Sequence, residues 1–160
     1  MKIDKLFNGL KRIANGDYVL EGDLISEETI EIDLDDRFVV KGRIESKKSI
    51  IIRHGIEAGW GIEAGDGIEA GCGIKAGWGI EAGWGIKAGD GIEAGWGIEA
   101  GWGIEAGAFI SVKKRIFAGI SIYRTSKDCD KTIRCTELRD GEVCYGDLIL
   151  TGSEEKTDED

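Results

Sequence analysis

GIEAGWGIEAGDGIEAGC, residues 55–72, opens a run in which the hexad G-I-(E/K)-A-G-x is read nine times without interruption, ending at Ala108. Ile and Ala stand two residues apart, so in an extended chain they share one face, and the Glu or Lys between them points the other way. Each hexad therefore encodes a strand of about three residues, apolar inside and charged outside. The G-x-G that follows is read as a corner, with glycine supplying backbone angles closed to other residues. A hexad is too short for an array of hairpins. It suits one side of a three-sided prism, in which three hexads, about 18 residues, make one coil and the coils stack as parallel ladders. The fold expected is all-β: a single-stranded parallel β-helix, or β-solenoid.

The coil length can be tested within the sequence. Three hexads per coil place Trp60, Trp78 and Trp96 in one column and Trp84 above Asp66 and below Trp102 in another, with Cys72 under Asp90 and Ala108 in the third. On the outward strand positions Lys75 falls between Glu57 and Glu93, and Lys87 between Glu69 and Glu105, so each lysine relieves an acidic stack. Glu63, Glu81 and Glu99 form a column with no lysine. The x position accepts Trp, Asp, Cys and Ala, a mixture that a tight core would reject, which puts x outside the corner. The core expected is stacked Ile and Ala.

The flanks divide around the repeat. In residues 3–15, Ile3, Leu6, Phe7, Leu10 and Ile13 recur at helical spacing, with Asp4 as N-cap and Gly16 as C-terminal glycine. A short helix cap over 1–16 is expected. Residues 17–54 and 109–152 carry irregular β-type runs, read as further coils and a closing cap. Residues 153–160, SEEKTDED, read as a disordered acidic tail.

The net charge is −10, and it is uneven: −7 in the repeat, −4 in the tail, −1 in residues 1–54 and +2 in 109–152. Such a chain is repelled by bare nucleic acid and by anionic membranes, and attracts basic partners. No secretory segment or stretch of transmembrane length is apparent, so a cytoplasmic location is expected. The four cysteines, Cys72, Cys129, Cys135 and Cys144, contain no C-x-x-C pair and read as free thiols rather than zinc ligands. The one histidine, His54, has no evident nucleophile or orienting partner, and no phosphate-binding loop is present. No catalytic residue, metal or cofactor is assigned. The candidate binding residues are Glu63, Glu81 and Glu99 with Trp60, Trp78, Trp96, Trp84 and Trp102, because exposed aromatic strips beside uncompensated charge mark binding surfaces.

The segment Arg37-Phe-Val-Val-Lys-Gly-Arg-Ile-Glu-Ser, followed by Ile-Glu-Ala-Gly repeats, resembles bactofilin-type solenoids. That resemblance implies a right-handed helix and end-to-end polymerisation. Strings such as Ile-Lys-Ala-Gly-Trp, with Arg115-Ile-Phe-Ala-Gly and Gly141-Glu-Val-Cys-Tyr-Gly-Asp, are similar to hexad-repeat proteins of Firmicutes and their phages; together the resemblances cover roughly residues 37–150. Left-handed hexad acyltransferases fit poorly, since here the small residue follows the Ile by two. Some β-solenoids mimic DNA, and phage inhibitors of defence systems, anti-CRISPR proteins among them, use acidic surfaces. The first functional expectation is thus a non-enzymatic acidic inhibitor or decoy that engages a basic, nucleic-acid-binding protein, without contacting nucleic acid itself. The second is a bactofilin-like structural homo-oligomer.

Overall fold

The computed structural model describes residues 1–120 and 130–152. Among them every helix or strand is a strand, twenty-one in all. Through the repeat each hexad supplies one three-residue strand, from Ile56–Ala58 to Ile104–Ala106. Pairing is parallel and in constant register: Ile62 lies against Ile80 and Ile80 against Ile98. Each coil is about 18 residues, and about seven turns stack into a β-solenoid.

Three faces run along the solenoid. The first carries Tyr18–Leu20, Phe38–Val40, Ile56–Ala58, Ile74–Ala76 and Ile92–Ala94. The second carries Leu24–Ser26, Ile44–Ser46, Ile62–Ala64, Ile80–Ala82 and Ile98–Ala100. The third begins at Lys2–Ile3 and Ile30–Ile32, passes through Ile50–Ile52, Ile68–Ala70, Ile86–Ala88 and Ile104–Ala106, and ends on Thr132–Cys135 and Asp147–Leu150. The long strand Phe109–Ala118 turns a corner, so that Ile110 extends the first face over Ile92 and Ile116 the second over Ile98. Corners are hydrogen-bonded like the faces: the Trp78 N–H donates to the Trp60 carbonyl at 3.1 Å, and that of Trp96 to Trp78 at 3.0 Å.

The interior is filled by the Ile and Ala of every hexad, all buried. Each isoleucine withdrawn from water contributes on the order of 1.5–3 kcal/mol, which makes the Ile columns the main source of stability. The glycines act differently from the expectation above. No repeat glycine has a positive φ. The first glycine of each G-x-G instead lies under the neighbouring coil: a Cβ on Gly77 would sit 2.1 Å from the Gly59 carbonyl oxygen, and one on Gly95 2.0 Å from that of Gly77. Glycine is required there for its missing side chain, because the corner is where backbones approach most closely.

The N-terminal helix does not form. Ile3 is buried as a strand residue on Ile32, and Phe7 and Leu10 pack on the core from turn and hairpin positions, while Leu6 is left 93% exposed. The residues read as helix signals make turns instead. Asp4 accepts the Leu6 N–H on its side chain and the Phe7 N–H on its carbonyl. Asn15 and Gly16, the latter with φ 97°, turn a hairpin that pairs Leu10–Arg12 antiparallel with Tyr18–Leu20. The strand edge at the base of the first face offers unpaired backbone groups, and the hairpin satisfies them where a helix could not. Lys5 and the Tyr18 hydroxyl both hold Asp35, each at 2.7 Å, fastening this segment to the second coil. The first coils are also longer: Tyr18 pairs with Phe38 and Ile30 with Ile50, 20 residues on. The extra length lies in the corner at residues 33–36, which inserts the buried Leu34 into the core.

The described C-terminal residues continue the coils. Glu137–Tyr145 lies on Phe109–Ala118 with shifts of register, and Asp147–Leu150 lies on Thr132–Cys135. Leu148 and Leu150 stand over the buried Ile133 and Cys135, yet they are 38% and 44% exposed, since no described strand follows them. Cys72 and Cys144 are exposed free thiols, and Cys135 is buried and free; Cys129 and the tail 153–160 lie outside the described residues. No helix among the described residues is long and apolar enough to cross a membrane.

Candidate functional site

The constant register converts the hexad into straight columns of outward side chains. Glu63, Glu81 and Glu99 are Cα partners on the second face and form the acidic stripe expected. One corner away, Trp60, Trp78 and Trp96 stack with ring centroids 5.6 and 6.1 Å apart and planes within 13° of parallel. These rings stay 57–60% exposed. Offset stacking at this separation is worth about 0.5–1.5 kcal/mol per pair, so the column is a rigid wall.

The stripe and the wall face each other across a groove of about 720 Å³. Its floor is formed by Gly61, Gly79 and Gly97, whose lack of side chains opens the hollow. The second tryptophan column is separate. Trp84 and Trp102 stack at 5.6 Å on the next corner and line no part of this groove. Trp102 instead borders a smaller hollow on the third face, whose outward column mixes Glu69, Lys87, Glu105 and Arg134. Of the eight residues singled out from the sequence, six are thus brought together and two are not.

Residues outside the repeat complete the groove, and reading the hexads alone misses them. Glu45 continues the acidic stripe toward the N-terminus, but Lys47 at 2.9 Å and Arg43 at 3.5 Å neutralise it. Phe117 ends the stripe beyond Glu99. Lys114 lies over the face of Trp96, 5.4 Å from its centroid, and Arg115 lines the same end. The groove therefore holds three carboxylates without an ion pair among the described residues, between the ion-paired Glu45 at one end and the cationic Lys114 and Arg115 at the other. The count that finds Glu45, Lys114 and Phe117 is the coil length carried beyond the repeat.

The electrostatics of the stripe are strained at its centre. Partial burial in the groove, together with Glu99 and Glu63 on either side, raises the Glu81 carboxyl above its ordinary value of 4.5. A carboxyl so raised holds its proton more tightly when folded than when unfolded. Folding is penalised once the pH rises through the folded value, and the penalty vanishes below the unfolded one. Glu81→Gln is therefore expected to be more stable than the parent at pH 7 by a few tenths of a kcal/mol, on the scale of one like-charge pair. Thermal melts should converge well below pH 4; a deficit at pH 7 would refute this.

His54, Cys72 and Asp90 follow one another on the third corner, linked by backbone hydrogen bonds from Cys72 to His54 and from Asp90 to Cys72. No group of His, Cys, Asp and Glu side chains among the described residues could hold a metal ion. No family model, no curated protein and no solved structure matches the chain.

Proposed function

We propose that the protein is a non-enzymatic binding module whose acidic groove engages a basic, nucleic-acid-binding protein, acting as an inhibitor or decoy. The observation that carries the reading is the juxtaposition of Glu63, Glu81 and Glu99, in register and without an ion pair among the described residues, with the exposed Trp60/Trp78/Trp96 wall. Uncompensated carboxylates in line attract cationic side chains and set association rate and specificity, while rigid exposed aromatics supply contact area at low entropic cost.

The test uses the tagged protein as bait for nucleic-acid-binding proteins at low and high salt, with DNA or RNA then added to the complex. A decoy loses its partner as salt screens the contact, and nucleic acid displaces it. A complex that survives high salt, or that takes up nucleic acid without dissociating, would count against the decoy.

One observation favours a second reading, bactofilin-like self-assembly. The last described coil presents Leu148, which stands over the buried Ile133 and yet is 38% exposed. Open strand edges bearing apolar side chains invite pairing with another chain. On a sizing column this reading predicts assemblies that grow with concentration, and a monomer at all concentrations would remove it.

A further inference from the structure

The ends of the groove say more about its occupant than its centre does. A cationic chain laid along the groove would run past the stripe onto Glu45, already ion-paired with Arg43 and Lys47, at one end, and onto Lys114 and Arg115 at the other. Neither end offers a free carboxylate to further ammonium groups, so the stripe itself accommodates three. Between them stand three carboxylates that make no ion pair among the described residues, Lys47 acting on Glu63 only at longer range, and they are spaced by the strand separation of about 4.8 Å. Three-carbon and four-carbon spacers place neighbouring amines about 5–6 Å apart when extended, given bond lengths near 1.5 Å.

We infer that this groove is a receptor for a linear aliphatic triamine, lying along the solenoid axis with one ammonium on each of Glu63, Glu81 and Glu99. Its methylene segments lie against the edges of the stacked Trp60, Trp78 and Trp96 rings, in the way that the stem of a lysine covers apolar surface while its head stays polar. The ring edges close one side, the glycine floor admits the chain, and the neutralised Glu45 at one end with Phe117 and Lys114 at the other fix its length. The hollow on the third face lacks this character, because Lys87 interrupts its carboxylates. The inference does not depend on any protein partner; a bound triamine would neutralise the stripe and compete with one.

The purified chain is titrated calorimetrically with spermidine, with the diamine putrescine and with hexaamminecobalt(III), which carries the same charge as spermidine without its length. Binding of spermidine is expected to be roughly a hundredfold tighter than that of putrescine, since a third charge-assisted contact is worth at least a factor of ten and closes the site. Tryptophan emission should change with spermidine. Glu81→Gln should weaken spermidine binding about tenfold, and Glu69→Gln on the third face should leave it unchanged. Equal affinity for spermidine and hexaamminecobalt(III) would reduce the effect to attraction by a chain of net charge −10 and overturn the inference. So would indifference to Glu81→Gln.

Discussion

Replacing Glu63, Glu81 and Glu99 together by lysine is expected to lower affinity for a basic protein partner at least about a thousandfold, since like charges brought together at an interface cost several kcal/mol. The three side chains form one column on the second face, so the substitution turns an uninterrupted negative stripe into a positive one. The groove would then be cationic from Arg43 to Arg115. The fold should survive, because all three positions point outward and three stacked lysines repel one another much as three stacked glutamates do. The change in stability should stay within about 1 kcal/mol. Binding is measured by titration with the captured partner, and folding by circular dichroism on the same samples. Undiminished binding by a folded triple variant would take the groove out of the protein's function.

Gly83→Ala is expected to cost at least about 3 kcal/mol, although it adds a single methyl group to an exposed corner. The new Cβ would lie 2.0 Å from the Gly65 carbonyl oxygen and 3.0 Å from its carbon. Both are backbone atoms held in the ladder, so the coils must part or the corner must be rebuilt. At Gly67, in the second glycine position of the corner, a Cβ meets the Gly85 carbonyl oxygen at 3.3 Å. There a shift of a few tenths of an ångström suffices, and the reduced freedom of the unfolded chain offsets part of it. Gly67→Ala should therefore be nearly neutral, while Gly83→Ala lowers the thermal midpoint by roughly 6–12 °C. Equal melting of the two variants would refute the close-approach account of the corner.

The two substitutions probe what could be read from the residues alone. Period, inside and outside were all written in the hexad, because Ile and Ala share a strand face and Trp and Asp cannot share a core site. The reason for the glycines was not legible: conformational freedom and absence of a side chain leave the same mark in a sequence, and only the coil-to-coil distance separates them. The helix reading of residues 3–15 failed because periodicity records which residues are apolar, not what receives them: open strand edges took Ile3 and Leu10, and Leu6 met no surface. The site was legible in part. The three carboxylates and their tryptophan wall followed from the coil count, whereas the separation of Trp84 and Trp102 from that groove depends on which way a corner side chain leans. Glu45, Lys114 and Phe117 could have been found by extending the same count into the irregular flanks, where no repeated letter advertises it.

Because the register is constant, the molecule has a phase as well as a length. Duplicating three consecutive hexads would insert one whole turn, lengthen the groove by about 4.8 Å and add one carboxylate and one corner residue, leaving both ends as they are. Duplicating one or two hexads would rotate everything downstream onto the wrong side of the prism, and Lys114 and Arg115 would close a different hollow. Tandem copying in whole turns is thus the one form of growth that keeps the site intact, and the number of turns between Arg43 and Lys114 acts as a ruler for what the groove can measure.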